Sequence, residues 1–270
     1  MKSFYLSKED FNPEHTLLCG QIFSYEFKNG HYIVYSKDKK AEIFEQKDFF
    51  EIQCDDLDYF KRFFDIETDY STIKKKLFKH KILKEPIKFG YGIRILKNDK
   101  FEMLISFIIS ANNNIKRIQK IINGIKMLCG SDMGEYQAFP TRQQMLNLTE
   151  EDFAKLGAGY RAKYLYKVLR QVDENALEQW DELDTKNLRN KLIELSGVGP
   201  KVADCILLFG YGRQDVFPVD TWIEQMYNEF IDDKLHNRNQ IRDNLVDMFG
   251  DLSGYAQQYL FYYQRSAERE

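Results

Sequence analysis

A chain of 270 residues with a formal charge of −3 is long enough to bury a substantial core in one or two domains. Its acidity denies it any bulk attraction to a polyanion, so contacts to phosphate have to come from local clusters of Lys and Arg. No run of about 18 apolar residues marks a membrane span, the early Lys2, Lys8, Glu9 and Asp10 do not fit a secretory signal, and the four cysteines (Cys19, Cys54, Cys129, Cys205) lack zinc or iron–sulfur spacing and are expected as free thiols in a reducing compartment.

Residues 1 to about 85 read mainly as strands. Tyr32-Ile33-Val34-Tyr35 and Ala41-Glu42-Ile43-Phe44 are short apolar or alternating runs, and Asn29-Gly30 and Lys37-Asp38-Lys39 supply turns. The expectation is a twisted antiparallel sheet with a helix near Leu57–Phe64, followed from residue 86 to 270 by an all-helical domain: an α+β fold in two parts. Between Lys74 and Lys100 there are ten Lys or Arg and two acids, Glu85 and Asp99; a solvated helix face and a contact to DNA are both open for this run. The acidic surplus, in Glu45–Asp69 and Asp173–Asp184, is expected to face away from any DNA that this run contacts.

Met103–Ile109 is apolar on nearly every side and predicts a central buried helix. Asn112-Asn113-Asn114 then interrupts, as asparagine favours caps and turns, before Ile115, Ile118, Ile122 and Ile125 form a core stripe with Lys116, Arg117 and Lys120 off it. Further on, Leu188, Leu192 and Leu195 repeat at helical spacing. Gly197 and Gly199 break that helix, because glycine tolerates the left-handed dihedrals of a tight turn, and Pro200 suits the first position of a new one. Two i,i+4 pairs, Val202/Ile206 and Ala203/Leu207, carry the second helix toward Gly210. This is a helix–hairpin–helix over about 188–210, and the free N–H groups of its turn form a site for a DNA phosphate.

Lys201 sits in the first turn of the second helix. The positive end of the helix dipole and partial burial both disfavour an ammonium there, which predicts a lowered pKa and a nucleophilic amine. Cys205, four residues on, shares its helix face. Asp220 precedes the stripe Ile223, Met226, Tyr227, Phe230; it is expected to cap that helix, and a cap holds a carboxylate still. Asp204 is a competing carboxylate that sits three residues from Lys201 and is placed to pair with it. An amine and a carboxylate delivered to DNA together point to chemistry at a sugar–base bond rather than to binding alone. Near the C-terminus Gln257 and Phe261 are four apart and face the same way, with core packing as the plainer reading for Phe261.

The run from Leu195 to Asp220 resembles the helix–hairpin–helix, Gly-Pro-Asp superfamily of DNA glycosylases, in which the lysine attacks the sugar C1′ and the aspartate stabilises the cation-like transition state. Four more segments, in the same order along the chain, narrow the likeness to 8-oxoguanine DNA glycosylases: Leu17-Leu18-Cys19-Gly20-Gln21-Ile22-Phe23, Ser106 through Ile118 with its asparagine triplet, Leu156 through Tyr164 with Gly159-Tyr160-Arg161-Ala162, and Ala256 through Phe261. The resemblance implies double-stranded DNA containing 8-oxoguanine as partner and substrate. Catalysis would fall to Lys201 and Asp220. Phe261 and Cys205 would lie on opposite faces of the flipped base, Gln257 on its Watson–Crick edge, and the Gly20 carbonyl at the N7–H that guanine lacks. Asn112 would fill the vacated stack, Arg117 and Arg161 would read the opposite cytosine, Tyr160 would wedge beside it, and Gly197 and Gly199 would form the phosphate-binding turn. It also implies a monomer, cytoplasmic or at the nucleoid in a prokaryote and nuclear in a eukaryote, away from membranes, with no redox cofactor or catalytic metal; a monovalent cation bridging the hairpin carbonyls and a phosphate is compatible with it. One departure stands out: two residues after Asp220 the animal and yeast enzymes usually carry a histidine near the phosphate, and this chain has Trp222. Two rival readings stay open, a related glycosylase for another lesion such as an alkylated base and a hairpin module that binds DNA without catalysis.

Overall fold

The computed structural model describes residues 2–267. Five antiparallel strands come first: β1 (Lys2–Ser7), β2 (Tyr25–Lys28), β3 (His31–Ser36), β4 (Lys39–Glu45) and β5 (Phe49–Cys54), in the spatial order β1-β5-β4-β3-β2. The β2–β3 hairpin turns on Asn29 and Gly30, both at positive φ (52° and 83°), the conformation that a two-residue turn matched to strand twist requires. Burial alternates as a one-sided sheet demands: Phe4 and Leu6, Ala41 and Ile43, and Phe50, Ile52 and Cys54 point to one face. That face is covered by Leu17, Ile22, Leu96 and the aromatic set Phe60, Phe63, Phe64, of which Phe60 and Phe63 belong to the helix Leu57–Phe63 expected there.

Helices begin earlier than the sequence suggests. Tyr70–Leu77 is helical, capped by Asp69, whose side chain accepts from the Thr72 amide. The basic run starting at Lys74 divides by position. Lys74 itself is buried, its Nζ 3.7 Å from the centre of the Tyr91 ring and 3.3 Å from Asp10, while Lys75, Lys76, Lys79, Lys81, Lys84 and Lys88 are exposed. Arg94 is buried and donates to the carbonyls of Phe64 (2.8 Å) and Asp10 (3.3 Å), so its charge is satisfied where sheet and helices meet.

The centre of the second core is the helix Lys100–Ser110, buried from Phe101 to Ile109. It packs on the helix Pro200–Gly210, with Phe107 and Phe209 stacked at 5.5 Å. No helix among the described residues is long and apolar enough to cross a membrane.

Glu102 of the central helix is buried and ties the two parts together. Ser24 Oγ donates to its Oε1 (2.8 Å) and the Lys37 amide to its Oε2 (3.3 Å). Burial pushes its pKa from 4.5 up to about 7. In the unfolded chain this carboxyl titrates near 4.5 and in the fold near 7, so the folded state holds the extra proton between those values. Stability is therefore full below the lower value and falls as pH rises through the upper one, by about 3 kcal/mol. Glu102→Gln, neutral at all pH, is expected to raise the melting temperature at pH 8 by several degrees and to leave it unchanged at pH 5. A variant less stable than the parent at both pH values refutes this assignment.

Candidate active site

The hairpin forms as its residues dictate. Asp184 caps the helix Thr185–Ile193 by accepting from the Asn187 amide (2.9 Å), and Leu188 and Leu192 are fully buried. Gly197 has φ +85°, and a Cβ there would lie 2.7 Å from Tyr164 Cβ and 3.1 Å from Ile108 Cγ2. It is required twice, by its dihedral and by the close approach of the helix Arg161–Gln171. Gly199 differs from expectation. Its φ of −87° is open to any residue, and it serves as N-cap of the helix Pro200–Gly210 with Pro200 at the first turn. A Cβ there would meet nothing within 4 Å, so space does not demand glycine either.

Lys201 and Cys205 project from one face of that helix into a cavity that Asp220 also lines. Asp220 is extended (φ −104°) and caps the helix Thr221–Phe230, its Oδ1 accepting from the Ile223 amide at 3.1 Å. The amine does not titrate as the helix dipole alone predicts. Burial lowers its affinity for a proton, but the Asp220 carboxylate and a hydrogen bond to the Cys205 sulfur outweigh burial, and its pKa lies above the ordinary lysine value. Burial pushes the Cys205 thiol up to about 11, so Lys201 is an ammonium beside a neutral thiol at neutral pH. Asp204 corrects a second expectation: it is buried and turned away from Lys201, taking Arg189 Nε (2.7 Å) and Nη2 (3.2 Å) in a two-point pair.

The same cavity is lined by Gly20, Gln257 and Phe261, so the two residues expected to do chemistry and the four expected to hold a base converge on one space. Gly20 (φ +85°) lies directly under the Phe261 ring, with Phe261 Cε1 3.2 Å from where a Cβ would stand. Arg265 stands beside both, its Nη1 also 3.2 Å from that point and its guanidinium 5.2 Å from the ring centre, and it donates to the Leu18 carbonyl. Gln257 is only 4% exposed, and its Oε1 has no hydrogen-bond partner. A buried acceptor left unmet costs about 1–3 kcal/mol unless a ligand supplies the donor. The neighbouring Gln258 is instead tied down, donating to the Cys19 carbonyl at 2.8 Å. The space is ≈ 30 Å³, room for about two waters and far too little for a purine, so its walls have to part before a base can enter.

Sequence reasoning missed several lining residues: Cys19, Phe107, Phe209, Pro218 and Gln258. Pro218 could have been found from its place in Pro218-Val219-Asp220, but Phe107 and Phe209 lie in helices apolar on most faces and carry no signal of their own. Gln21, by contrast, is a structural hub. Its Nε2 donates to the Thr16 and Arg94 carbonyls (2.8 and 2.7 Å) and its Oε1 accepts from the Leu96 amide (2.8 Å).

A second cluster gathers Asn112, Arg117, Tyr160 and Arg161. Asn112 is held at φ 48° just after the central helix. Arg161 is expected to offer its guanidinium to a base, but it is 3% exposed and committed to main chain: Nε donates to Ala111 O (2.8 Å), Nη2 to Asn112 O (2.7 Å) and Nη1 to Ala158 O (3.2 Å). These bonds fix the asparagine turn. Tyr160 is 57% exposed, stacks on Arg161 (4.4 Å) and donates to Ala111 O (3.2 Å). Arg117 is exposed and donates through Nη2 to Gly157 O (2.8 Å). Asn112, Arg117 and Tyr160 are thus exposed around the buried Arg161, which joins the Asn112 turn to the 157–161 loop. Among the described residues no group of three or more His, Cys, Asp or Glu could hold a metal ion.

Comparison with known proteins places this geometry. Residues 3–104 match the N-terminal domain family of 8-oxoguanine DNA glycosylases, and residues 105–246 match the HhH-GPD superfamily of base excision DNA repair proteins. A probable N-glycosylase/DNA lyase of Methanothermobacter thermautotrophicus is 32% identical over 227 residues, 75% of this chain and 71% of that protein. The 8-oxoguanine glycosylase/lyase of Clostridium acetobutylicum, solved with double-stranded DNA containing cytosine opposite 8-oxoguanine, superposes with a TM-score of 0.90 at 38% identity, over 96% of this chain and 93% of that one. The structure of MBOgg1 with a low-affinity DNA ligand superposes with a TM-score of 0.92 at 35% identity, over 99% of this chain and 97% of that one. The chain belongs to the HhH-GPD superfamily of base excision DNA repair proteins, with an 8-oxoguanine DNA glycosylase N-terminal domain ahead of the hairpin domain.

Proposed function

We propose that this chain removes 8-oxoguanine from duplex DNA, opposite cytosine, and then cleaves the strand, acting as a monomer. The observation that carries the reading is one cavity holding the Lys201 amine, the Asp220 carboxylate, the Gly20 backbone and a buried, unpartnered Gln257 Oε1. An enzyme acting on a base must take it out of the stack, and the Watson–Crick edge of a guanine derivative offers the N1 and N2 donors that Gln257 Oε1 lacks. A carbonyl at Gly20 accepts from the N7–H of 8-oxoguanine and repels the bare N7 of guanine, a discrimination of a few kcal/mol. The relatives named as glycosylase/lyases support the same reading.

Attack requires the neutral amine, so the Lys201 ammonium passes a proton to the entering base, which departs carrying it. The nitrogen lone pair then bonds to C1′, and the C1′–N9 bond breaks with its electrons leaving on the base, which is protonated. Asp220 stabilises the positive charge that develops on the sugar. The C1′–O4′ bond opens to give a protonated imine, a C2′ proton is removed, and the 3′ phosphate leaves by β-elimination. The expelled base serves as the proton carrier. Borohydride trapping on four duplexes, with 8-oxoguanine opposite each normal base, tests the scheme. A covalent adduct that is most abundant opposite cytosine is expected. Absence of any adduct favours the non-catalytic module, and an adduct only with another lesion favours the related glycosylase.

Opposite-base choice follows from Arg117, the exposed guanidinium beside the Asn112 turn. A lost charged hydrogen bond to a base edge costs about 1–3 kcal/mol. Arg117→Ala is expected to slow cleavage opposite cytosine more than opposite adenine. A role confined to phosphate would weaken binding to all four duplexes alike and flatten the salt dependence; that outcome, read from rates at two salt concentrations, removes base readout from Arg117.

A further inference from the structure

Of the consecutive main-chain carbonyls of Leu18, Cys19, Gly20 and Gln21, all but one are held by side chains from distant segments. The helix Pro13–Leu18 ends at Cys19, and Gly20 (φ +85°) then turns the chain in the left-handed conformation common after a helix end. The last carbonyls of a helix have no partner inside it. Here the Leu18 carbonyl accepts from Arg265, and the Cys19 carbonyl from Gln258 Nε2 (2.8 Å). Beyond Gly20, Asn98 Nδ2 donates to the Gln21 carbonyl (3.4 Å), and the Gln21 side chain is itself fixed to the Thr16 and Arg94 carbonyls. Among the described residues the Gly20 carbonyl accepts no hydrogen bond.

The donors to Leu18 and Cys19 both come from the helix Ser253–Ala267. Gln258 and Arg265 are seven residues apart, about two turns, so they lie on one face of it. The same helix lines the cavity with Gln257 and Phe261. One element therefore carries base-contacting side chains and clasps the segment that supplies Gly20. Arg265 does more than reach Leu18. Its Nη1 lies 3.2 Å from where a Gly20 Cβ would stand, so the guanidinium packs against Gly20 itself. A cation at the carbonyl end of a helix is also favourable. Glycine is where such a clasp matters most. With no Cβ, the peptide unit after Gly20 turns over at little steric cost. A carbonyl turned away would neither accept from the N7–H of 8-oxoguanine nor repel the bare N7 of guanine.

We infer that Gln258 and Arg265 are positioning residues: by holding the Cys19 and Leu18 carbonyls they aim the Gly20 carbonyl, and so set how sharply the site separates 8-oxoguanine from guanine. The inference rests on the glycosylase reading. Binding is measured in the Lys201→Gln protein, which needs no turnover, to two duplexes that differ only in carrying 8-oxoguanine or guanine opposite cytosine. The ratio of the two affinities is the readout. Arg265→Met keeps the aliphatic stem and removes the donor. It is expected to narrow the ratio by about threefold to tenfold, the range that one net hydrogen bond spans. Arg265→Lys, which can still donate to Leu18, is expected to keep the parental ratio. Gln258→Met is expected to narrow the ratio as Arg265→Met does, and it decides the matter should Arg265→Met fail to fold. A general loosening of the fold weakens both duplexes by the same factor and leaves the ratio alone. That result overturns the inference, as does a ratio narrowed equally in Arg265→Lys and Arg265→Met. Equal affinities in the Lys201→Gln parent overturn the 8-oxoguanine reading and this inference with it, whereas a parental preference untouched in the folded variants overturns this inference alone.

Discussion

Lys201→Gln is expected to abolish base release and borohydride trapping while the protein still folds and binds lesion DNA. The residue is in the first turn of its helix, after Pro200, and is neither a cap nor a partner of the buried Asp204, which belongs to Arg189. Glutamine fits the same half-buried position and removes one charge from the cavity. Folding therefore loses little, and the salt dependence of binding falls by at most about one unit. Chemistry loses everything that depends on the amine, because a carboxamide nitrogen forms no imine with the opened sugar. Rates measured in single turnover with excess protein separate lost chemistry from lost binding. A borohydride adduct that persists in Lys201→Gln places the nucleophile elsewhere and ends the mechanism.

What the sequence made legible follows from how local each signal is. Asn29-Gly30 and the alternation through β3, β4 and β5 disclose a sheet because turn chemistry and a period of two act over a few residues. The hairpin is equally legible, since Gly197 and Pro200 have backbone roles readable in place, although Gly199 does not take the left-handed conformation expected of it. The helix Tyr70–Leu77 was harder to see: its stripe of Tyr70, Ile73 and Leu77 is diluted by three consecutive lysines, and only tertiary burial reveals that Lys74 belongs to the inner face. Electrostatics was the least legible level. The dipole argument for Lys201 holds for an isolated helix, but the amine meets Asp220 from the next helix and Cys205 from its own, and their sum reverses the sign. Arg161 taught the same lesson. Its position in the Gly-Tyr-Arg-Ala segment does not disclose that Ala111 and Asn112, some fifty residues earlier, will consume its donors. Side-chain partners from distant segments decide both cases, and no window of sequence contains them.

Asp220→Asn separates capping from catalysis most sharply. Asparagine is as good an N-cap as aspartate, so its side-chain oxygen can still accept from the Ile223 amide, as Oδ1 does at 3.1 Å. If capping were the whole role, melting temperature and rate would both stay near those of the parent. The cavity argues otherwise, because the carboxylate shares its wall with the Lys201 amine and on the proposed mechanism would face the sugar carbon where positive charge develops. Loss of such a preorganised charge costs about 3–4 kcal/mol, or 10²–10³ in rate. A second consequence runs the other way. The Asp220 carboxylate is one of the groups that hold the Lys201 proton, so its neutralisation lowers the pKa of the amine. The variant is therefore expected to be slower at every pH, with its rise in rate moved toward lower pH than that of the parent. A structural defect would lower the rate without moving the profile, and it would show in the melting curve. A folded Asp220→Asn protein with parental rate and parental pH profile would return Asp220 to a cap alone and leave the developing cation without its stabilising charge.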